Sequence, residues 1–248
     1  MNDLHLAVRF LRSAQRVVAL TGAGLSTESG IPDFRSPGGV WVRFRPIEYQ
    51  QFLASHEARR EHWRYKRATV PAMLAAEPNA AHRALSELEA AGRLLAVITQ
   101  NIDGLHQRAG SHRVLELHGS NLEAVCLRCE KRVPIASVLA LLEAGDDVPV
   151  CRECGGWLKP ATVSFGQSLP ADVLQEAATL ARDSDCFLAL GSSLLVNPAA
   201  SLAGLAKQSG SRLVIVNLSP TPYDDLADVV LRGKVGEVLP QIVAVALG

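Results

Sequence analysis

The chain has 248 residues, of which 48% are hydrophobic and 20% charged, and its 25 Lys and Arg residues balance 25 Asp and Glu residues. This length suits one or two globular domains, and the composition excludes an intrinsically disordered chain and argues against nucleic acid as the main ligand. No apolar run is long enough to span a membrane, and charged residues interrupt the amino-terminal segment. We therefore expect neither a membrane span nor a secretory signal, and a cytoplasmic location.

The helical spacing of Leu4, Val8 and Leu11 predicts a first helix, and the apolar run 17–20 predicts a strand that ends at a glycine-rich turn. The same alternation continues along the chain. Further helices are predicted over 82–91, 171–182, 199–208 and 237–245, with a short helical stretch after 103, and further strands over 94–99, near 114–117, and over 186–190, 212–216 and 229–232. This alternation predicts an α/β fold with a Rossmann-like, doubly wound parallel sheet.

Two segments interrupt the alternation and are predicted to form a small second domain. Residues 36–76 lack a strand pattern and combine basic with aromatic residues, and residues 121–158 hold four of the five cysteines. The large domain would then comprise 1–35, 77–120 and 159–248. The basic-aromatic segment could be a solvated helix with its aromatic side chains in the core, or it could select a ligand, and the sequence leaves both open.

The cysteines predict a structural zinc site. Cys126 and Cys129 are separated by two residues, as are Cys151 and Cys154, and 21 residues lie between the pairs. Two such pairs can direct four thiolates at one point, which favours zinc over free cysteines or disulfides. Four sulfur ligands leave no position for water, so the metal should hold the small domain together without taking part in catalysis. Cys186 lies in an apolar strand and is expected to be an inert thiol.

Four polar turns follow predicted strands, and ligands of open α/β sheets bind at the carboxyl ends of the strands. These turns are 22–26, 100–103, 118–119 and 191–193. The first three have plainer explanations: an ordinary glycine turn, an Asx turn that caps a helix, and a structural histidine. In the glycine-rich fingerprint of dinucleotide-binding proteins, the position of the third glycine would fall on Thr27, which argues against a plain Rossmann dehydrogenase. We nevertheless expect the four turns to share one crevice.

Several motifs, in this order along the chain, resemble those of the sirtuin family, and together they span about residues 15–240. They are Gly22–Arg35 (GAGLSTESGIPDFR), Thr99–His106 (TQNIDGLH), Leu117–Ser120 (LHGS), the two cysteine pairs, Leu158–Pro160 with Phe165–Gly166, and Gly191–Leu194 (GSSL).

The resemblance implies an enzyme that removes acetyl or neutral longer acyl groups from lysines of a protein or peptide. NAD would be the co-substrate, and nicotinamide and O-acyl-ADP-ribose would be released. The resemblance implies that His118 is the general base, and that Asn101 and Asp103 bind nicotinamide and favour its departure. The other implied NAD contacts are Gly22, Ala23, Gly24, Ser26, Phe34, Arg35, Gln100, Ile102, Gly191, Ser192, Ser193 and Asn217.

The resemblance further implies that Val163, Ser164, Phe165 and Gly166 pair with the substrate peptide as an edge strand. Gln167 follows at a position where the family often has an acidic residue, so peptide preference stays open. The Tyr-x-x-Arg pair of the desuccinylating branch is absent, so succinyl-lysine is expected to react poorly. Several motifs resemble the class II branch of the family.

Two other functions stay open. An ADP-ribosyltransferase or NAD glycohydrolase would use the same crevice and deliver the ribose to a side chain or to water. A catalytically silent NAD-binding or zinc-scaffold module is the other alternative, and the presence of both His118 and Asn101 argues against it.

Overall fold

The computed structural model describes residues 3–34, 39–40 and 44–248. Its main sheet has six parallel strands in the order β3-β2-β1-β7-β8-β9. This is the strand order of a Rossmann fold, and it reverses between β1 and β7. The strands are β1 (Val17–Thr21), β2 (Leu94–Thr99), β3 (Val114–Glu116), β7 (Cys186–Leu190), β8 (Arg212–Val216) and β9 (Val229–Leu231).

Helices cover both faces of this sheet, because alternate residues of each strand point to opposite sides. Val17 and Ala19 belong to one apolar cluster, whereas Val18 and Leu20 belong to the other. The first cluster includes α1 (Asp3–Ser13), α5 (Ala80–Ala90) and α10 (Val235–Leu247), and the second includes α8 (Ala171–Asp183) and α9 (Ser201–Gln208). The predicted doubly wound α/β fold is therefore confirmed.

A second, antiparallel sheet lies outside this arrangement. Its strands, in the order β5-β4-β6, are β4 (Gly119–Cys126), β5 (Arg132–Pro134) and β6 (Leu158–Thr162). A separate apolar cluster joins the sheet to two helices, α4 (His56–Ala75) and α7 (Ile135–Glu143), and Trp63 is its largest member. Shorter α-helices in the described part of the chain are α2 (Ala23–Ser26), α3 (Tyr49–Ala54) and α6 (Leu105–Arg108), and 3-10 turns cover Thr27–Ser29 and Asp224–Leu226.

The predicted strands of the main sheet agree with the structure to within one residue and the helices after residue 80 to within two. The three antiparallel strands were not predicted. The predicted strand near 114–117 ends at Glu116, and His118 lies in the turn between β3 and β4. Within the described residues, no helix is both long and apolar enough to cross a membrane.

Candidate functional site

The four polar turns predicted to carry the chemistry follow four neighbouring strands of the main sheet. The strands β3, β2, β1 and β7 are adjacent and parallel, so the turns that follow them meet along one edge. The crevice between β1 and β7 is the point where the strand order reverses, which is where ligands bind in sheets of this kind. The topology therefore gathers 22–26, 100–103, 118–119 and 191–193 at one site, although Gly119 is already the first residue of β4 and the turn itself is 117–118.

Glycines allow the turns after β1 and β7 to approach each other closely. The N–H groups of Gly22 and Gly24 donate to the carbonyls of Leu190 and Gly191, over 3.0 and 2.8 Å. Gly191 has a φ of +61°, and a Cβ there would lie 2.3 Å from the backbone nitrogen of Leu25. These glycines therefore serve the contact between the two turns, and the N–H groups of Gly22 and Gly24 are already engaged in it.

A buried hydrogen-bonded triplet joins the turn after β1 to the turn after β2. Asn101 Nδ2 donates to Ser26 Oγ (3.0 Å) and to the Gly22 carbonyl (3.1 Å), and Ser26 Oγ donates to Asp103 Oδ2 (2.7 Å). All three side chains of the triplet are buried. The triplet fixes the amide and the carboxylate relative to each other before any ligand binds.

Asp103 also caps a helix, as the plainer explanation proposed. Its Oδ1 accepts the N–H of Leu105, two residues ahead, at the start of α6, so one carboxylate oxygen forms an Asx turn and the other bonds Ser26. Burial raises the pKa of this carboxyl group, and its hydrogen bonds from Leu105 and Ser26 act in the opposite direction. The same residue thus supports the helix and supplies polar surface to the crevice.

His118 is held by a hydrogen bond to the neighbouring turn. Its Nδ1 lies 3.0 Å from the Gln100 carbonyl oxygen, which can only accept, so Nδ1 carries the proton. In the neutral ring Nε2 is then unprotonated and can take up a proton. Burial lowers the pKa of His118 below 6.5, although the bond to Gln100 acts in the opposite direction. The ring is therefore neutral at pH 7, as a general base requires.

Further hydrogen bonds hold three of the other predicted residues, Gln100, Ser192 and Asn217. Gln100 Nε2 donates to Ser192 Oγ over 2.9 Å, and Asn217, at the end of β8, donates from Nδ2 to the Ser219 carbonyl. Ala23, Phe34, Ile102 and Ser193 are half-buried. The predicted contact Arg35 lies outside the described residues.

The predicted peptide-binding segment follows the end of β6. Val163 donates its N–H to the His118 carbonyl (2.8 Å), which ties the segment to the turn that carries the base. Gly166 has a φ of +76°, and Ser164 and Gln167 bond each other, so a turn forms at 165–166, and residues 163–166 belong to none of the strands given above. The Phe165 side chain is exposed.

The four paired cysteines come together as predicted for zinc. Their sulfurs all lie within 4.8 Å of one another, and Cys126–Cys154 and Cys129–Cys151 are separated by 3.4 and 3.8 Å. A tetrahedral site with Zn–S bonds of ~2.3 Å places sulfurs ~3.8 Å apart, whereas a disulfide needs ~2.05 Å. A Cβ at Gly156 would lie 2.8 Å from the Cys126 sulfur, so glycine leaves room for the cluster. The residues present therefore fit a structural zinc ion.

The cluster is remote from the crevice. Strand β4 leads from Gly119, beside His118, to Cys126, which is a length of about 23 Å at about 3.3 Å per residue. The remaining cysteine, Cys186, is fully buried in β7, and burial raises its pKa to about 12. Its burial supports the expectation of an inert thiol.

Lys66 is a buried polar residue beside the site to which the sequence assigned no role. Its Nζ donates to Asn121 Oδ1 (3.0 Å), and the N–H of Asn121 donates to the Ile102 carbonyl (2.9 Å). Burial, and then the nearby Lys159, lower the pKa of Lys66 to about 7. The exposed arginines of α4 fit a solvated helix, but the spacing of Trp63, Lys66 and Val70 could have indicated that Lys66 shares the buried face.

The chain is similar to known proteins over nearly its whole length. The Sir2 family model matches residues 22–198. The chain is 50% identical over 232 residues to "NAD-dependent protein deacetylase 2" of Streptomyces coelicolor, covering 91% of this chain and 95% of that protein. It is 44% identical over 243 residues to "NAD-dependent protein deacylase 2" of Archaeoglobus fulgidus, covering 98% and 95%.

Solved structures of Sir2 proteins also match this chain over nearly its whole length. A Sir2 structure described as containing a p53 peptide and NAD+ matches with a TM-score of 0.90 at 42% identity, covering 98% of both chains. A second, described with a deacetylated p53 peptide and 3'-O-acetyl ADP-ribose, matches with a TM-score of 0.92 at 42% identity, covering 97% of both chains. From its sequence motifs, its fold and these similarities, the chain belongs to the Sir2 family.

Proposed function

We propose that this chain is an NAD-dependent protein-lysine deacylase that acts on acetyl or neutral longer acyl groups. The observation that carries the proposal is the position of His118. Its Nδ1–H bonds the Gln100 carbonyl, which leaves Nε2 as a base at the edge of the sheet that also carries Asn101, Ser26 and Asp103. A base next to a preorganised amide and carboxylate at the reversal of strand order suits a reaction on the ribose of a dinucleotide.

The reaction consumes acyl-lysine, NAD and water, and yields lysine, nicotinamide and O-acyl-ADP-ribose. Bound NAD would supply the ribose carbon whose bond to nicotinamide breaks as a bond to the acyl oxygen forms. No protein nucleophile is needed, so the main contributions of the chain are to position the reactants, worth up to ~7–11 kcal/mol, and to keep water from the ribose carbon while its bond to nicotinamide breaks.

We propose roles in this reaction for the base, for the residues at nicotinamide and for the other NAD contacts. Nε2 of His118 would take the proton of a ribose hydroxyl, and Asn101 and Asp103 would hold the nicotinamide carboxamide. The remaining proposed NAD contacts are Gly22, Ala23, Gly24, Ser26, Phe34, Arg35, Gln100, Ile102, Gly191, Ser192, Ser193 and Asn217.

The substrate peptide is proposed to lie along residues 163–166. The Val163 N–H is bonded to the His118 carbonyl, so this segment and the base are mechanically linked. Backbone pairing would bring an acyl-lysine toward the base with little selection of peptide sequence. Because Phe165 is exposed, it offers apolar surface to the peptide.

The small module is proposed to comprise residues 36–76 and 121–158, with a structural zinc ion held by Cys126, Cys129, Cys151 and Cys154. Its separate apolar cluster supports this division, because every described member of the cluster comes from these two segments. The zinc ion would stabilise the module without binding substrate. A cytoplasmic location is also part of the proposal, and cell fractionation would test it.

Product analysis over a panel of lysine peptides tests the substrate part. The purified chain is incubated with NAD and acetyl, propionyl, longer-chain, lipoyl or succinyl peptides, and O-acyl-ADP-ribose is measured by mass spectrometry. We expect acylated ADP-ribose from the acetyl or neutral longer-chain peptides and little from the succinyl peptide. A clear succinyl preference would overturn the proposed acyl selectivity, whereas ADP-ribosylated protein would favour the transferase alternative.

A further inference from the structure

Two histidines, His82 and His106, lie buried behind the crevice with their rings facing each other. Both are almost completely buried, and their ring centres are 4.8 Å apart at an interplanar angle of 56°. One nitrogen of each ring, Nε2 of His82 and Nδ1 of His106, has no hydrogen-bond partner within the described residues. Buried polar atoms are seldom left unpaired, so these two nitrogens require an explanation.

The contacts of His82 determine where its proton lies. Its Nδ1 is 3.2 Å from the backbone nitrogen of Asn79, an N–H that can only donate, so Nδ1 is an acceptor. Burial lowers the pKa of His82 to about 3, so the ring is neutral. The single ring proton is therefore on Nε2, which makes the unpaired atom of His82 a donor.

The contacts of His106 favour the complementary state. Its Nε2 is 2.9 Å from Thr21 Oγ1, and the Thr21 hydroxyl donates to Thr99 Oγ1 over 2.8 Å. The hydroxyl has one proton, so Thr21 Oγ1 accepts from His106 Nε2–H. Burial lowers the pKa of His106 to about 4, so this ring is also neutral. Its unpaired Nδ1 is therefore an acceptor. The opposite polarity would leave two N–H donors facing each other.

Both ends of this arrangement reach the loops that line the crevice. Asn79 Nδ2 donates to the Leu25 carbonyl (2.8 Å) and to Ser29 Oγ (3.0 Å), just beyond the glycine turn. At the other end, Thr99 Oγ1 accepts the N–H of Asn101 (3.0 Å). The histidine pair thus lies between the segment after β1 and the residue proposed to hold the nicotinamide carboxamide.

We propose that one buried water molecule accepts the His82 Nε2–H and donates to His106 Nδ1, and that the resulting chain of hydrogen bonds positions Asn101. The chain runs from the Asn79 N–H through both rings and Thr21 to Thr99, and every donor in it points the same way. Both rings are buried, so they act as positioning residues that order the crevice through Thr99. The effect on turnover rests on the proposed function, but the hydrogen bond itself does not.

Nitrogen-15 NMR of the full-length chain labelled at histidine tests the hydrogen bond without any activity. We expect His82 and His106 both to be neutral and Nε2-protonated from about pH 8 to about pH 5, above the pKa values given for them. The His106 Nδ1 shift should be that of a hydrogen-bonded acceptor. A proton on Nδ1 of His106 would overturn the proposal, whether or not the chain proves to be a deacylase.

Two substitutions at His82 separate the proposed link from a general packing role. Because the asparagine oxygen can replace Nδ1 as the acceptor for Asn79, His82→Asn keeps that contact but removes the donor to His106. His82→Gln instead places an amide donor near the former Nε2. We expect His82→Asn to move the His106 Nδ1 resonance and to lower kcat by about tenfold, as the loss of one buried hydrogen bond would do, with little change in the KM for peptide.

His82→Gln should recover most of the lost kcat and the bonded Nδ1 shift. The exposed His112→Gln serves as the control and should change neither quantity. If His82→Asn left the His106 resonances unchanged, or if both His82 variants lost the same kcat, the proposal would be overturned. If the wild-type chain showed no deacylation, the NMR result would still decide the hydrogen bond.

Discussion

The Ser26 hydroxyl donates a 2.7 Å hydrogen bond to Oδ2 of Asp103, although the two residues are 77 positions apart in the chain. This contact joins the turn after β1 to the turn after β2 inside a buried site, so the polar wall of the crevice is formed before a ligand enters. Burying the ionised carboxylate also has a cost in folding stability, because burial raises the pKa of Asp103 more than its hydrogen bonds lower it.

That cost predicts a pH-dependent effect of Asp103→Asn on stability. In the wild type the folded pKa lies above the ordinary value of 3.8, so the unfolded chain releases its proton first as the pH rises. Stability is then lost between the two pKa values, and the full penalty persists above the folded one. The variant lacks this penalty, so the free energy of unfolding of the variant relative to wild type should increase from pH 3 to pH 7.

Denaturant titrations across this pH range measure the difference between the two proteins. A constant offset from lost hydrogen bonds, about 1–3 kcal/mol, is expected at every pH and does not affect the slope. The exposed Asp147→Asn serves as the control and should give no comparable slope. A difference that stayed flat with pH would mean that Asp103 is not destabilised by burial.

The pH dependence of turnover should reflect the neutral imidazole of His118. Its pKa is lowered below 6.5 by burial, and only the neutral ring can accept a proton. We expect kcat/KM to be insensitive to pH between about 7 and 8 and to fall only below about pH 6.5. An acid limb centred above pH 7 would contradict the environment found for this ring.

Gly191→Ala should damage both stability and NAD binding. A residue with a side chain in this left-handed conformation costs about 1–2 kcal/mol, and here the Cβ would also approach the Leu25 nitrogen to 2.3 Å. Gly92 has a similar φ of +70° with no atom within 4 Å of a Cβ, so Gly92→Ala isolates the backbone cost. Equal losses of stability in the two variants would show that the two turns can move apart without penalty.

Cys129→Ser should remove zinc without disturbing the core, because Cys129 is the exposed member of the sulfur cluster. Metal analysis should give one zinc per wild-type chain and much less for the variant, which should also unfold at a lower temperature. Cys186→Ala should retain the metal, since that thiol is buried in β7. Full zinc content in Cys129→Ser would contradict a four-sulfur site.

The sequence predicted the main sheet well because its strands are buried on both faces. The runs at 94–99, 186–190 and 212–216 are almost continuously apolar, and their limits agree with the structure. The antiparallel sheet was not predicted because its strands lack a continuous apolar run. The outer two residues of β5 are exposed, β6 contains Lys159 and Pro160, and β4 contains a register shift between Gly119 and Ala124.

The sequence predicted the turns that form the site, but not the buried residues that these turns contact. That four turns meet at one edge follows from their positions after strands of one parallel sheet. The buried partners of these turns depend on tertiary contacts: His106 meets Thr21 across 85 positions and Lys66 meets Asn121 across 55. Local patterns contain no information about such pairs, so the histidine pair and the buried lysine were found only in the folded chain.

The central claim is that one crevice combines a dinucleotide, the His118 base and an acyl-lysine. It is tested most directly by measuring nicotinamide release from NAD as acetyl-lysine peptide is added, for the wild type and for His118→Ala. Release by the wild type should be slow without peptide and should increase steeply with it, and product formation by His118→Ala should fall by roughly 10²–10⁴-fold. Rapid release without peptide, or unchanged turnover in His118→Ala, would contradict the claim.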